Sequence, residues 1–229
     1  MADIAFIFAG PSLFGADLDD RSNDGISWLP PARRGDIERL TAQHASPGTI
    51  GLADGTFHAY PSVGHVELRE AIQAGWLVYG LCSMGAIRAS EMKHMGMRPW
   101  GRVAEAFCTD KDFADDEVAL VHGADAPFAP LSEPLIHIRE FCADARRHGL
   151  LSVEQETLVI GRLRERWYGE RTLANLRQEL CSALGAEHLP DVLERSMDDF
   201  KPFRLKQADL RTFVALRPWI NSASHSHVG

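Results

Sequence analysis

Three observations predict an α/β fold, in which a mostly parallel sheet carries helices on both faces and a helical C-terminal layer or subdomain follows. Short apolar runs of strand length occur at 4–8, 49–53 and 76–81. Amphipathic stretches lie between them, and alternating β and α elements imply a parallel, Rossmann-like sheet. From about residue 130 the strand signal stops and helical periodicity takes over. The expected divisions are an α/β core over 1–128, helices over 129–220 and a disordered tail over 221–229.

The first run, Ile4 to Phe8, ends in Gly10-Pro11-Ser12, as a buried strand entering a tight loop would. Residues 15–35 hold many Gly, Pro, Asp and Arg and read as a loop. Asp36 to Gln43 predicts a short helix and Thr49 to Ala53 a second strand. His65 to Ala74 is amphipathic, with Val66, Leu68, Ala71 and Ile72 as core contacts and Gly75 where a helix terminates. Trp76 to Leu81 then predicts a buried strand, and Met84 to Met95 a helix. Further helices are predicted over 135–148, 153–167, 171–184 and 206–216.

Composition narrows the function. A net charge of −8 argues against a nucleic-acid binder held by phosphate contacts. No window approaches eighteen uninterrupted apolar residues, so no membrane span is expected. Met1-Ala2-Asp3 lacks the basic start of a signal peptide. The four cysteines, at 82, 108, 142 and 181, form no C-x-x-C pair. Free thiols in a reducing cytoplasm, no structural metal and no cofactor are the expectation.

The most informative segment is Tyr79-Gly80-Leu81-Cys82-Ser83-Met84-Gly85-Ala86-Ile87-Arg88. A strand stops there at a small polar pair and a helix begins. Such a turn projects a side chain from the carboxyl end of the sheet, where the N–H groups of Met84 and Gly85 would lack intrahelical acceptors. A nucleophile beside an anion site suits acyl transfer. Ser83 is the first candidate, although serine is also a common helix cap and Gly80 lies three residues before it rather than the two of a G-x-S-x-G elbow. Cys82 is the second, against its reading as a small buried hydrophobe.

A serine nucleophile needs a base, and His65, His58 and His122 are all open to that role; spacing selects none of them. Asp115-Asp116-Glu117, followed by Val118 to His122, is either a solvated acidic turn or a source of carboxylates that orient a histidine or hold a cation, although the spacing lacks the ligand ladder of a calcium loop. Arg88 and Glu91 are spaced for an i,i+3 ion pair. Arg88 could instead reach back to an anion at the helix start.

Together these segments resemble the TfuA-like family. The family pattern pairs a G-P-S loop with a segment read here as Ser62-Val63-Gly64-His65-Val66-Glu67-Leu68. It continues through Tyr79 to Glu91, and through Asp115-Asp116-Glu117-Val118-Ala119-Leu120-Val121-His122. Cys82 stands where the family commonly has a small residue such as serine, and Ile87 where it has leucine. The resemblance covers roughly residues 4–125 and implies a partner of YcaO-type cyclodehydratases, which use ATP to activate backbone amides during thioamide formation in ribosomally made peptides. It further implies sulfide delivery by hydrolysis of the C-terminal thiocarboxylate of a ubiquitin-like sulfur-carrier protein, or else a non-catalytic adaptor for the YcaO enzyme. On the hydrolase reading Ser83 is nucleophile, with Cys82 as competitor, His65 or His122 is base, and Asp115 or Asp116 orients it. Gly10, Pro11, Ser12, Met84, Gly85, Arg88, Glu91 and Glu117 form the expected substrate-binding set.

Overall fold

The computed structural model describes residues 4–18, 24–56, 60–110 and 113–222. It divides into two units: residues 1–113 with 206–229, and residues 114–205. This differs from the division expected at 128. Residues 206–216, grouped with the C-terminal helices by periodicity alone, belong to the first unit.

The first unit is a five-stranded parallel sheet, β1 (Ala5–Phe8), β2 (Ile26–Leu29), β3 (Thr49–Leu52), β4 (Leu77–Gly80) and β5 (Arg98–Pro99), in the order β2-β1-β3-β4-β5. Pairing is in register, with Phe8 opposite Leu29 on one side and Leu52 on the other. The edge strand β2 falls within the predicted loop 15–35. Its four residues are all half-buried, too short and too weakly patterned to stand out between Gly25 and Pro30.

Strand alternation sorts the side chains. Phe6, Phe8, Ile50, Leu52 and Val78 point to one face, where Ile37 and Leu40 of α1 (Asp36–Ala42), Leu68 and Ala71 of α2 (His65–Gln73) and Ala89 and Met92 of α3 (Met84–Met92) cover them. Ala5, Ile7, Tyr79 and Leu81 point to the other, beneath Leu210, Phe213 and Val214 of α9 (Leu205–Leu216) and Trp219 of α10 (Pro218–Ser222). Val66, expected in the core, is 57% exposed; the stripe of α2 that packs runs through Leu68 and Ala71. The helix predicted over 84–95 finishes as a 3-10 turn, Lys93–Met95, closed by Gly96 at φ +100°. The sequence reading lacked β5 and α4 (Gly101–Thr109), whose start is capped by Asp209 of α9 through the N–H groups of Arg102 and Val103 at 3.0 and 2.9 Å.

The second unit is helical. Leu135, Ile138, Phe141, Cys142 and Ala145 form the buried stripe of α5 (Leu135–Arg147). They pack with Val159 and Leu163 of α6 (Val153–Glu165), Leu176 and Leu180 of α7 (Leu173–Leu184), and Leu193 and Met197 of α8 (Asp191–Asp198). Arg171 is fully buried and donates to the carbonyls of Leu163 and Asp116 at 3.0 and 2.8 Å. Among the described residues no helix is long and apolar enough to cross a membrane. Asn221 and Ser222 close α10, and the rest of the expected disordered tail lies outside the described residues.

Candidate functional site

Strand order fixes where to look. In the order β2-β1-β3-β4-β5 the chain leaves β1 toward one side of the sheet and β3 toward the other, which leaves a crevice at their carboxyl ends. The Gly10-Pro11-Ser12 loop follows β1, Asp54 follows β3, and the Cys82-Ser83 turn follows β4.

Asp54 organises this edge. One carboxylate oxygen accepts the N–H groups of Gly10 and Ser12, both at 2.8 Å, and the other accepts the Ser12 hydroxyl at 2.7 Å. The donors of the G-P-S loop that a substrate anion would use are therefore held by an internal carboxylate. The Lys206 ammonium lies 3.7 Å from Asp54, and both side chains are buried. Gln207 donates to the Pro11 carbonyl at 3.2 Å. Sequence reasoning missed Asp54, Lys206 and Gln207. An aspartate directly after a strand is a faint signal, and the other two arrive from the far end of the chain.

The β4–α3 turn is strained. Cys82 has φ +63°, which non-glycine residues seldom adopt and which costs on the order of 1 to 3 kcal/mol. Gly80 lies two residues before it and Gly85 two residues after Ser83, so the first half of the G-x-S-x-G spacing falls on Cys82 and the second on Ser83, and both compete for the nucleophile's role. The surroundings of Cys82 oppose that role. Its thiol is fully buried, lies 3.2 Å from the Lys206 carbonyl, and has its pKa driven well above the ordinary thiol value. Burial is the largest cause, and the charges of Asp209 and Asp54 add to it. A thiol so placed stays protonated and is a weak nucleophile. Ser83, the next residue, stands at the N-terminus of α3, but its side chain does not cap the helix. It is 3% exposed.

The backbone donors differ from expectation. The Gly85 N–H points to the Ala53 carbonyl at 3.4 Å, and the Ser83 N–H to the same oxygen at 3.1 Å. Among the described residues no acceptor takes the Met84 N–H. The Met84 side chain is core. Gly85 serves packing, since a Cβ there would overlap the Leu52 carbonyl.

The histidines and carboxylates are placed as follows. His65 opens α2, and its Nε2 lies 2.8 Å from Glu91, not against Asp115 or Asp116. Glu91 is eight residues beyond Ser83, about 12 Å along the helix axis, so this pair sits roughly two turns from the Ser83 hydroxyl. Arg88 donates from Nε to the Val63 carbonyl at 3.0 Å and from Nη1 to Glu91 at 2.7 Å, so it fastens the start of α2 to α3. Asp115–Glu117 is a 3-10 turn of the second unit. There Asp116 pairs with Arg171 at 2.6 Å and Glu117 with Arg139 at 2.7 Å. His122, in the same unit, lies 2.7 Å from the Gly123 carbonyl through Nδ1. The apolar run before His122 forms no strand, only an isolated bridge between His122 and Pro130. His58 lies outside the described residues.

Residues 54–172, just over half of the chain, match the family described as TfuA-like protein. The chain belongs to the TfuA-like family. The matched span starts at Asp54 and takes in the Cys82-Ser83 turn, Arg88, the acidic turn and His122. It leaves the G-P-S loop and α9 outside. The TfuA-like family is associated with YcaO-dependent thioamidation. A comparison with curated proteins finds no match.

Proposed function

We propose that this TfuA-like protein releases sulfide for a YcaO partner by hydrolysing the C-terminal thiocarboxylate of a ubiquitin-like sulfur carrier, with Ser83 as nucleophile. The observation that carries the reading is the strained turn at the carboxyl end of β4. The φ of Cys82 presents Ser83 at the mouth of α3, and the serine side chain is not used as a helix cap. Ser83 Oγ bonds to the thiocarboxyl carbon and gives up its proton to a histidine. The tetrahedral oxyanion lies toward the Met84 N–H and the positive end of α3. The C–S bond then breaks, hydrosulfide leaves, and water cleaves the acyl-serine to return the carrier as a carboxylate. His65, held by Glu91 roughly two turns from Ser83, is the candidate base of this unit and would have to swing toward the turn to take the proton; His65→Gln tests it.

Burial of Ser83 favours a second reading, a non-catalytic adaptor that docks on the YcaO enzyme. The deciding experiment incubates the purified protein with a thiocarboxylated carrier and no YcaO enzyme, and measures sulfide. Release that needs Ser83 supports the hydrolase. No release, with thioamidation still stimulated in the complete system, establishes the adaptor.

A further inference from the structure

The loop entering α1 is rigid, positively charged and next to the Ser83 turn. Six consecutive N–H groups, Ala32 to Ile37, all have acceptors. Ala32 donates to the Asp54 carbonyl at 2.9 Å, Arg34 to the Pro61 carbonyl at 3.0 Å and Asp36 to the Arg33 carbonyl at 3.1 Å. Arg33 donates to the Asp36 carboxylate at 2.6 Å, and Gly35 and Ile37 to Glu67 at 3.0 and 3.2 Å. The main chain is thus held without help from either arginine side chain.

The same bonds occupy the nearby acids. Asp36 takes the Arg33 N–H and the Arg39 guanidinium. Glu67 takes the N–H groups of Gly35, Ile37 and Gly64. Arg33 and Arg34 are both exposed, and among the described residues neither has a carboxylate at ion-pair distance. Arg33 lies over the Tyr60 ring, 3.9 Å from its centroid. Arg39 and Arg88, by contrast, are both paired. In a chain of net charge −8, two adjacent unpaired guanidiniums on an immobilised loop form a ready anion site.

Packing places this loop beside the turn. A Cβ on Gly55 would lie 2.8 Å from Met84 Cγ and 3.2 Å from the Ala32 carbonyl oxygen. Ala32, Gly55 and Met84 therefore meet, with Arg33 following the first and Ser83 preceding the last. We propose that Arg33 and Arg34 dock the anionic C-terminal carboxyl or thiocarboxyl group of a polypeptide; only the identity of that polypeptide as the sulfur carrier rests on the hydrolase reading. A guanidinium fork matches a carboxylate bidentately. It also offsets the charge that accumulates when a nucleophile adds to an anionic acyl group. Arg88, whose donors face Val63 and Glu91, is not placed for this.

The test compares one neutral, N-terminally dansylated peptide as the free acid and as the C-terminal amide, titrated by anisotropy. The wild-type protein binds the acid at least about fivefold more tightly, a preference that weakens with salt. Arg33→Gln/Arg34→Gln reduces the preference to within about twofold while the melting temperature holds, because the loop is fixed through its main chain. Arg147→Gln/Arg195→Gln, an equal loss of charge from the helical unit, keeps it. Equal binding of acid and amide by the wild type overturns the proposal, as does a preference that persists in a folded Arg33→Gln/Arg34→Gln protein. If the acid preference is found but the wild type releases no sulfide from a thiocarboxylated carrier, the docking site stands and the hydrolase reading falls.

Discussion

Asp54 accepts both the N–H and the hydroxyl of Ser12, at 2.8 and 2.7 Å, and so closes the loop after β1 onto the end of β3. A carboxylate with these bonds and a buried ammonium nearby holds the carboxyl edge of the sheet together.

Asp54→Ala should be among the most damaging single changes. It removes the carboxylate beside the buried Lys206 ammonium and leaves the Gly10 N–H, the Ser12 N–H and the Ser12 hydroxyl without their acceptor. Loss of one partner from a buried charged pair costs about 3 to 5 kcal/mol. Urea unfolding followed by circular dichroism measures this. A loss below about 1 kcal/mol would show that Asp54 and Lys206 are better solvated than their burial implies.

Ser83→Ala should lower sulfide release at least about a hundredfold, as expected when an acyl-transfer nucleophile is lost. Cys82→Ser, which keeps a small polar side chain in the strained turn, should retain most of the activity. Native Cys82 should also resist iodoacetamide at neutral pH, because burial keeps its thiol protonated. Near-normal turnover by folded Ser83→Ala, with activity lost in Cys82→Ser, would transfer the role to the thiol.

Gly85→Ala should fail to fold, since the new methyl would coincide with the Leu52 carbonyl. Its activity therefore says nothing of the anion site. Arg88→Lys is the informative neighbour. It keeps the charge near Glu91 but loses the Nε bond to Val63, and it should lower stability by about 1 kcal/mol. Full retention of melting temperature with a fall in turnover would instead place Arg88 in the substrate site.

Asp209 supplies a pH-dependent contribution to stability. Burial raises its pKa to about 6, although the Arg102 and Val103 N–H groups favour the charged form. The folded protein thus holds this proton more tightly than the unfolded chain, for which the ordinary value is 3.8. The resulting stability is complete below about pH 4 and is lost as pH rises through about 6, on the order of 3 kcal/mol in all. The stability difference between wild type and Asp209→Asn should therefore fall across that range and flatten above about pH 7. A difference that rises with pH would mean that the two N–H bonds outweigh burial.

The sheet was legible where strands are central. Ala5 to Phe8 and Thr49 to Ala53 lie in the buried middle and read as apolar runs, whereas β2 and β5 are edge strands with no buried residue and left little pattern. The Cys82-Ser83 turn was legible because small residues and a following helix mark it in one continuous segment. Its strain was not, since a positive φ at a cysteine leaves no mark in the sequence. The partners assigned to His65 and Asp116 departed from expectation for a common reason. Glu91 and Arg171 are distant in sequence from these residues; Glu91 lies on a helix whose facing side had to be known first, and Arg171 in a connection before α7. Arg33 and Arg34 sat in a segment read only as loop, where nothing in the sequence tells a paired cation from an unpaired one.

The placement of α9 bears on how the chain is made. Residues 114–205 intervene between the sheet and the helix that covers its Ile7, Tyr79 and Leu81 face. At about 5 to 20 residues per second, a ribosome needs on the order of 5 to 20 seconds to cross that stretch. For that interval the nascent sheet presents an uncovered apolar face and an Asp54 carboxylate without its ammonium. The helical unit, continuous in sequence, can close in the meantime. A chaperone that binds apolar surface has its clearest opportunity in this window, and ribosomes stalled after residue 205 would display that intermediate.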